Sequence, residues 1–269
     1  MVDPKLGVQS LFDELSATYD STGIDFFGQI ARALVTRARL SEGSTVLDVG
    51  CGAGAVLVAA SEVIGPSGRL IGIDLAQGMV ERARQAVREH ALENAEIQVG
   101  DAEAPPAAPR SVDAIVASLV LFFLPQIDTA LDAYAQTLIA GGTLAFSTFV
   151  GDDDWTPLDR LLEAFTPPPP PMQGEAWFES PGGIRAILNV HGFHDISIED
   201  VAHQVDFPSL EAFHEWAWST GWRAAWYAVP AEDRPSARAA VDGYLESLQR
   251  RRGSLRLETA VRYTRATAT

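Results

Sequence analysis

The stretch Val-Leu-Asp-Val-Gly-Cys-Gly-Ala-Gly, residues 46–54, decides how the rest of the chain is interpreted. An apolar run enters a loop with glycine at every second position, and apolar residues then continue from 55 to 60. This order predicts a buried strand, a tight turn and the first turns of a helix. Glycine suits the turn because the backbone must bend sharply and approach a ligand without a Cβ in the way. The stretch therefore predicts a ligand-binding loop.

Two carboxylates stand where such a ligand needs them. Asp48 comes two residues before Gly50, and a carboxylate there can face the polar tail of the ligand. Asp74 closes the next apolar run, residues 70–73, and can accept hydrogen bonds from a ribose diol. The pair predicts a nucleoside-containing ligand.

The order of these parts resembles the class I S-adenosylmethionine-dependent methyltransferases, whose first motif is an Asp-x-Gly-x-Gly-x-Gly loop. Further matches follow in the family's order at 100–103 (Gly-Asp-Ala-Glu), 111–118 and 141–144. In the family, the acid at the position of Asp101 contacts the adenine amino group, and the next backbone N–H meets the ring. The resemblance implies a methyltransferase that uses S-adenosyl-L-methionine.

A nicotinamide oxidoreductase is the competing interpretation of the glycine loop. Gly50, Gly52 and Ala55 also satisfy the dinucleotide fingerprint, and Asp74 fits its ribose-binding acid equally well. Asp101 and the lack of a recognisable second catalytic set disfavour that alternative.

Strands and helices alternate through the first half of the chain. Strands are predicted at 45–49, 69–74, 95–99, 112–118 and 143–149, and helices at 54–64, 76–90 and 128–140. Such alternation gives a parallel sheet with right-handed crossovers, and ligands lie beyond the carboxyl ends of its strands. With two further strands predicted at 195–201 and 255–264, we expect an α/β fold: a Rossmann-like, seven-stranded, mostly parallel sheet with helices on both faces.

The domain organisation is predicted to be a single methyltransferase domain with additions. These are an N-terminal helical cap (1–40), the cofactor-binding core (41–150), a late helix and strand (151–209), a helical insertion (210–252) and a final strand (253–269). Five consecutive prolines at 167–171 predict a stiff surface connector.

Composition excludes several classes of function. The net charge is −16 and the only clustered cations are at 250–252, so a nucleic-acid acceptor is not expected. No window is apolar enough for a membrane span, no basic and apolar signal precedes residue 10, and no Cys/His cluster has zinc spacing. We expect a cytoplasmic enzyme without a metal whose partner is a small molecule; the oligomeric state stays open. The single cysteine, Cys51, is interpreted as a small spacer in the loop rather than a nucleophile.

The resemblance implies a set of residues around the cofactor. They are Tyr19, Asp48, Gly50, Cys51, Gly52, Gly54, Asp74, Leu75, Met79, Asp101, Ala102, Ser118 and Leu119. Tyr19 is included because residues 17–20 (Ala-Thr-Tyr-Asp) resemble an N-terminal segment that covers the cofactor in the branch with quinone-biosynthesis methyltransferases. A plain packing role explains Tyr19 equally well.

Aromatic side chains are predicted to form the acceptor pocket. Four of the six tryptophans lie between 216 and 226, and Trp218 and Trp222 would share a helix face at i, i+4. We expect this insertion to be a lid over an apolar pocket that also includes Trp155, Phe122 and Phe123. The alternative is a plain core role.

A general base is harder to assign. Many relatives have Leu-His-His-Leu-Pro after the fourth strand, whereas this chain has Leu-Phe-Phe-Leu-Pro at 121–125. The candidates that remain are His214 and then His191. A base is needed only if the acceptor atom carries a proton at attack, and in-line positioning supplies much of the rate otherwise.

The function predicted from these residues is methyl transfer from S-adenosylmethionine to a small, largely apolar molecule, such as a specialised metabolite or a quinone-like acceptor. The alternative is a methyltransferase fold that binds the same cofactor but catalyses a non-methylating reaction such as cyclisation.

Overall fold

The computed structural model describes residues 4–151, 154–166 and 176–269. The proline run at 167–171 and the acidic residues 152–153 lie outside the described residues, so the predicted surface connector stays a prediction.

The described chain is organised around one seven-stranded sheet. Its strands are β1 (Thr45–Val49), β2 (Arg69–Asp74), β3 (Ala95–Val99), β4 (Val112–Ser118), β5 (Leu138–Phe149), β6 (Phe193–Phe207) and β7 (Leu255–Ala268). The strand order is β3-β2-β1-β4-β5-β7-β6; β1 to β5 run parallel, and β7 pairs antiparallel with both β5 and β6. This topology confirms the predicted Rossmann-like α/β fold.

Helices cover the sheet and extend beyond it. Those of the described residues are α1 (Pro4–Leu15), α2 (Phe27–Ala38), α3 (Ala55–Ile64), α4 (Gln77–Glu89), α5 (Ile127–Thr137), α6 (Trp155–Glu163), α7 (Pro181–Val190), α8 (Leu210–Trp218), α9 (Arg223–Ala228) and α10 (Arg234–Arg252). No helix in these parts of the chain is long and apolar enough to cross a bilayer.

The core follows from the apolar strands. Val46, Leu47 and Val49 of β1 have no exposed surface, and they lie in the two large clusters of buried side chains on opposite faces of the sheet. Apart from Asp48, the buried part of β1 is apolar on both faces, as is typical of strands in parallel sheets. The carboxyl ends of β1, β2 and β4, which carry polar residues, are thereby held side by side at one end of the parallel strands.

Several predicted boundaries near the sheet need correction: the fifth strand, predicted at 143–149, begins at Leu138, and the last strand, predicted at 255–264, continues to Ala268. The helix predicted at 128–140 ends at Thr137, because Leu138 already pairs with Val112 in the sheet. The late strand predicted at 195–201 extends from Phe193 to Phe207, since its pairing with β7 continues along most of that length.

The predicted helix face shared by Trp218 and Trp222 is also wrong. Helix α8 ends at Trp218, and α9 begins only at Arg223. The hydroxyls of Ser219 and Thr220 donate to the carbonyls of Trp216 and Ala217. Such local side-chain bonds compete with helix continuation, so the two tryptophans point to different neighbours.

Candidate active site

The glycine loop after β1 leaves open space at its tip. Gly50, Gly52 and Gly54 all have positive φ, at +65°, +51° and +93°. A Cβ on Gly50 would lie 2.6 Å from the Val120 side chain, whereas a Cβ on Gly52 would meet nothing within 4 Å. The loop therefore needs glycine for its backbone conformation and forms an open cradle at Gly52.

Asp74 closes this loop from the end of β2. Its Oδ2 accepts a hydrogen bond from Gly52 N–H at 2.9 Å, and its Oδ1 accepts one from Ala76 N–H at 2.9 Å. Burial raises the pKa of the Asp74 carboxyl, and these backbone donors oppose that rise. Asp74 thus orders the loop and retains lone pairs for further donors such as ribose hydroxyls.

Asp48 lies beneath the loop with an exposed fraction of 1%. Neither carboxylate oxygen has a hydrogen-bond partner among the described residues. Burial, followed by the nearby charge of Asp74, raises the pKa of Asp48 well above its usual value. A buried carboxylate without a partner is costly, so this position suits a ligand that brings a positively charged group.

Cys51 is buried within the same loop. Its backbone N–H donates to the Ile73 carbonyl at 2.9 Å, which ties β1 to β2. Burial, together with the charges of Asp48 and Asp74, raises the pKa of the thiol well above its usual value. The thiol form is favoured, which is the opposite of what a cysteine nucleophile requires.

Asp101 lies just after the end of β3. Its Oδ1 accepts from Glu103 N–H at 2.9 Å, and its Oδ2 lies 2.7 Å from the ammonium of Lys5 on α1. The same ammonium contacts Glu103. Although burial opposes it, hydrogen bonds to the two carboxylates raise the pKa of Lys5.

These strand ends open into one central cavity of about 530 Å³, a size ordinary for a small-molecule site. Most of the predicted site residues line it. They are Tyr19, Gly50, Gly52, Asp74, Leu75, Asp101, Ala102, Ser118, Leu119, Phe122, Phe123, Trp155 and Trp222.

Four residues of the predicted cofactor set do not line the cavity. Asp48 and Cys51 are buried, Gly54 is the loop residue that precedes α3, and Met79 is buried against Leu15 of α1. Their contribution to a ligand is therefore indirect, through the shape or charge of the loop.

The end of the cavity away from the strand ends is aromatic. The Trp155 ring contacts Trp216 and Trp222 at centroid distances of 5.3 and 5.9 Å, and Phe26 contacts Trp216 at 5.0 Å. Phe122, which follows β4, also lines this cavity, and its ring lies 6.0 Å from that of Phe149. We give the name aromatic chamber to the end formed by Phe26, Phe122, Trp155, Trp216 and Trp222. Its apolar surface suits a flat apolar molecule.

The rings of the chamber are held by hydrogen bonds as well as packing. Trp222 Nε1 donates to Asp159 at 2.7 Å, and Trp155 Nε1 donates to Thr259. Trp222 also contacts Phe213 at 5.7 Å. Two indole rings are thus fixed before any acceptor arrives.

Trp218 and His214 lie on another surface. Both line a separate cavity of about 770 Å³ bounded by the N-terminal connector and by α8 to α10. Trp218 is 40% exposed and contacts Tyr227 at 5.6 Å. His214 Nε2 lies 2.6 Å from Asp242. Neither side chain is placed to reach an acceptor in the aromatic chamber.

His191 lies away from the central cavity. It ends α7 and bridges to α5 through Asp132 at 2.7 Å and Asp128 at 2.9 Å. Burial opposes it, but these two hydrogen bonds raise the pKa of His191. The geometry fits a structural link between two helices, and this histidine does not line the central cavity.

Tyr19 lies between the two N-terminal helices at the cavity. Its ring stacks on Phe27 at 5.1 Å, and its carbonyl accepts from Arg82 at 2.8 Å. Burial, with Asp20 and Asp74 nearby, raises the pKa of the phenol. Both predicted roles, cavity wall and packing aromatic, are compatible with this position.

Sequence reasoning missed several cavity residues, among them Lys5, Phe12, Asp159 and Trp216. Lys5 and Asp159 are parts of long-range contacts that no motif marks. The tryptophan cluster does carry a signal for Trp216. Residues two apart on a helix face different directions, so Trp216 and Trp218 cannot both face the cavity. In the structure, α8 turns Trp216 inward and Trp218 outward.

Known proteins match this chain in sequence and in fold. A family model described as a methyltransferase domain matches residues 46–142. Nocamycin O-methyltransferase from Saccharothrix syringae is 31% identical over 246 residues, covering 86% of each chain. Aklanonic acid methyltransferase DauC from Streptomyces sp. (strain C5) is 42% identical over 144 residues, covering 54% of this chain and 66% of the relative.

Among solved structures, the [4+2]-cyclase SpnF superposes with a TM-score of 0.57 at 19% identity, covering 97% of this chain and 92% of that one. At this identity the likeness concerns the fold.

The chain belongs to the class I S-adenosylmethionine-dependent methyltransferases, and its cofactor is S-adenosyl-L-methionine. The predicted family is therefore confirmed, while the roles of individual site residues stay predictions.

Proposed function

We propose that the chain transfers a methyl group from S-adenosylmethionine to a small, largely apolar acceptor of the specialised-metabolite or quinone-like kind. The observation that carries this proposal is the central cavity with two chemically different parts: polar strand-end loops in one and the aromatic chamber in the other. Two relatives named for natural products, nocamycin and aklanonic acid, support the same acceptor class.

The polar end fits the parts of the cofactor. Asp74 would accept the ribose hydroxyls, Asp101 and the N–H of Ala102 would hold the adenine, and the cradle at Gly52 would admit the amino-acid tail. The unpartnered carboxylate of Asp48 would offset the positive charge of that tail. When bound, the cofactor supplies a methyl group on a sulfonium, whose leaving group is a neutral thioether.

The aromatic chamber would hold the acceptor and exclude water. Trp155 and Trp222 present fixed ring faces, so binding a flat acceptor immobilises few side chains. Positioning an acceptor in line with the methyl group removes much of the entropic barrier.

No histidine of the described residues lines the cavity. Phe122 and Phe123 stand where many relatives have histidine, with ring centroids 4.6 Å apart. We infer that transfer depends mainly on proximity, and that the best acceptors present an atom that is already ionised or otherwise nucleophilic without a base. On this view, kcat/KM follows the ionisation of the acceptor as pH changes.

The test is incubation with S-adenosylmethionine and a panel of acceptors, with S-adenosylhomocysteine and the mass of the product measured together. The panel holds apolar aromatic acids, polyketide-like enols and quinols, with short polar amines and short oligonucleotides as controls. We expect equal amounts of S-adenosylhomocysteine and methylated product with the apolar aromatic members only. Methylation of the polar controls alone would overturn the acceptor class.

A second candidate is a non-methylating reaction such as cyclisation. The same lack of histidine in the cavity and the fold likeness to SpnF favour it. The two functions separate when S-adenosylhomocysteine replaces the methyl donor. A cyclase still converts its substrate with this ligand, whereas a methyltransferase forms no product.

A further inference from the structure

Lys5 is the only lysine in the sequence, and it lies at the polar end of the central cavity. It extends from α1 to two carboxylates that follow β3. Its ammonium is 2.7 Å from Asp101 Oδ2 and also contacts Glu103. A side chain from the N-terminal helix therefore reaches the loop that we assign to the adenine.

The two carboxylates depend on this ammonium. The Glu103 side chain is only 4% exposed, and its second oxygen accepts from Gln126 N–H at 2.6 Å. Lys5 is the one cation within ion-pair distance of either acid among the described residues. Two neighbouring carboxylates repel each other, and this repulsion is costly where a carboxylate is buried without a cation.

Lys5 also restricts how Asp101 is oriented. One oxygen of Asp101 accepts from Glu103 N–H and the other from Lys5. A carboxylate has enough lone pairs to accept a further donor in this position. An adenine amino group is such a donor, while the oxygen of a 6-oxopurine is not.

We propose that Lys5 is a positioning residue for adenine recognition: it keeps Asp101 oriented to accept from the adenine amino group. The proposal rests on the proposed function, which places the adenine at Asp101. It links adenine selectivity to a residue of the N-terminal cap, 96 positions away in the sequence.

The helix that carries Lys5 has other attachments. Gln9 Nε2 donates to the Leu75 carbonyl at 3.2 Å, and Asp13 Oδ1 accepts from Gly78 N–H at 2.8 Å. These contacts join α1 to the loop after β2 and to the start of α4. Because they do not involve Lys5, we expect α1 to remain docked when Lys5 is replaced.

The experiment compares the dissociation constants of S-adenosylhomocysteine and S-inosylhomocysteine, which carries a 6-oxo group instead of the amino group. For the parent protein we expect a preference of about 30- to 150-fold for the adenine ligand. Lys5→Met should reduce this ratio about tenfold, and Lys5→Arg should restore most of it. Gln9→Leu is the matched control on α1, for which we expect an unchanged ratio.

Three outcomes would contradict some part of this account, and they are distinguishable. An unchanged ratio in Lys5→Met beside a collapsed ratio in Asp101→Asn overturns the role of Lys5 and leaves the cofactor site standing. Equal weakening of both ligands in Lys5→Met also overturns it, since Lys5 would then only attach α1. An unchanged ratio in Asp101→Asn overturns the proposed adenine position itself.

Discussion

The two ends of the central cavity are built from different parts of the chain. The polar end consists mainly of short loops that directly follow strands of the sheet, with backbone N–H groups and carboxylates such as Asp74 and Asp101, and Lys5 of α1 reaches it from outside the sheet. The aromatic chamber consists of side chains from α6, α8, the turn before α9 and the segments around Phe26 and Phe122. One end is therefore fixed by the sheet, and the other by how added helices pack.

This difference separates the binding of the cofactor, which is the general task, from the binding of the acceptor, which is the specific one. Strand ends are held rigidly by the hydrogen bonds of the sheet, so they suit a ligand that does not change. Helices outside the sheet are free to vary in length and side chains. We expect substitutions at the polar end to weaken cofactor binding, and substitutions in the chamber to change acceptor use.

The largest expected effect is at Asp74. Asp74→Ala removes a carboxylate that accepts from Gly52 N–H and Ala76 N–H and that would hold the ribose. Loss of charge-assisted hydrogen bonds in a buried site costs about 2–3 kcal/mol. Calorimetric titration should therefore show S-adenosylmethionine affinity reduced about 30- to 150-fold.

Asp74→Asn is the milder variant, because the amide oxygen can still accept one of these bonds; we expect an intermediate loss. If Asp74→Ala binds the cofactor as the parent does and keeps its circular dichroism spectrum, the ribose assignment is wrong.

The next effect distinguishes two tryptophans of one cluster. Trp222→Ala removes a ring of the aromatic chamber, while Trp218→Ala removes a ring on the separate outer cavity. For Trp222→Ala we expect acceptor kcat/KM to fall about 10- to 30-fold, the loss of a ring contact worth about 1.4–2 kcal/mol. S-adenosylmethionine affinity should stay within a fewfold of the parent.

Trp218→Ala serves as the matched control and should leave both measurements near those of the parent. A purely structural role for Trp222 predicts a different pattern. Thermal melts would then show a loss of about 3–5 kcal/mol of stability, with cofactor and acceptor binding declining together.

The smallest effect concerns His191, which belongs to neither end of the cavity. Because its pKa is raised in the folded protein, its stabilising contribution is complete below the unfolded value of 6.5 and is lost as pH rises through the folded value. Its partners Asp128 and Asp132 are exposed, so the contribution is about 0.5–1 kcal/mol.

Urea unfolding of His191→Gln should thus show a deficit against the parent near pH 5.5 that disappears near pH 9, with acceptor turnover unchanged. A deficit that grows with pH would contradict the assigned ion pairs. His203 provides a contrast of opposite sign, since burial and then Arg37 lower its pKa and its protonation at acidic pH destabilises the fold.

The features of the structure that the sequence predicts follow the same division. The glycine loop, Asp74 and Asp101 belong to contiguous motifs, in which a strand end and its ligand-facing residue are neighbours in sequence. The fold and the position of these residues were predicted for that reason. Lys5 could not be found this way, because its contact with Asp101 joins α1 to a loop after β3.

The aromatic chamber was predicted only in part. A tryptophan cluster indicates a packed region, but the break at Ser219 and Thr220 separates Trp218 from Trp222, so the two do not share a helix face. The i, i+4 spacing of Trp218 and Trp222 predicts a continuous helix, and it does not indicate the inward-facing Trp216. The histidines show the same limit. His214 contacts Asp242, and His191 contacts aspartates of α5; in each case the partner lies far away in the sequence.

The most direct test of the account is a crystal structure of the protein with S-adenosylhomocysteine. We predict the adenine beside Asp101 and Ala102, the ribose hydroxyls on Asp74, the amino-acid tail at the Gly52 cradle, and the sulfur facing the chamber formed by Trp155 and Trp222. A nucleoside seated among the tryptophans instead, with the strand-end loops free of ligand, would contradict the division of the cavity into a cofactor end and an acceptor end.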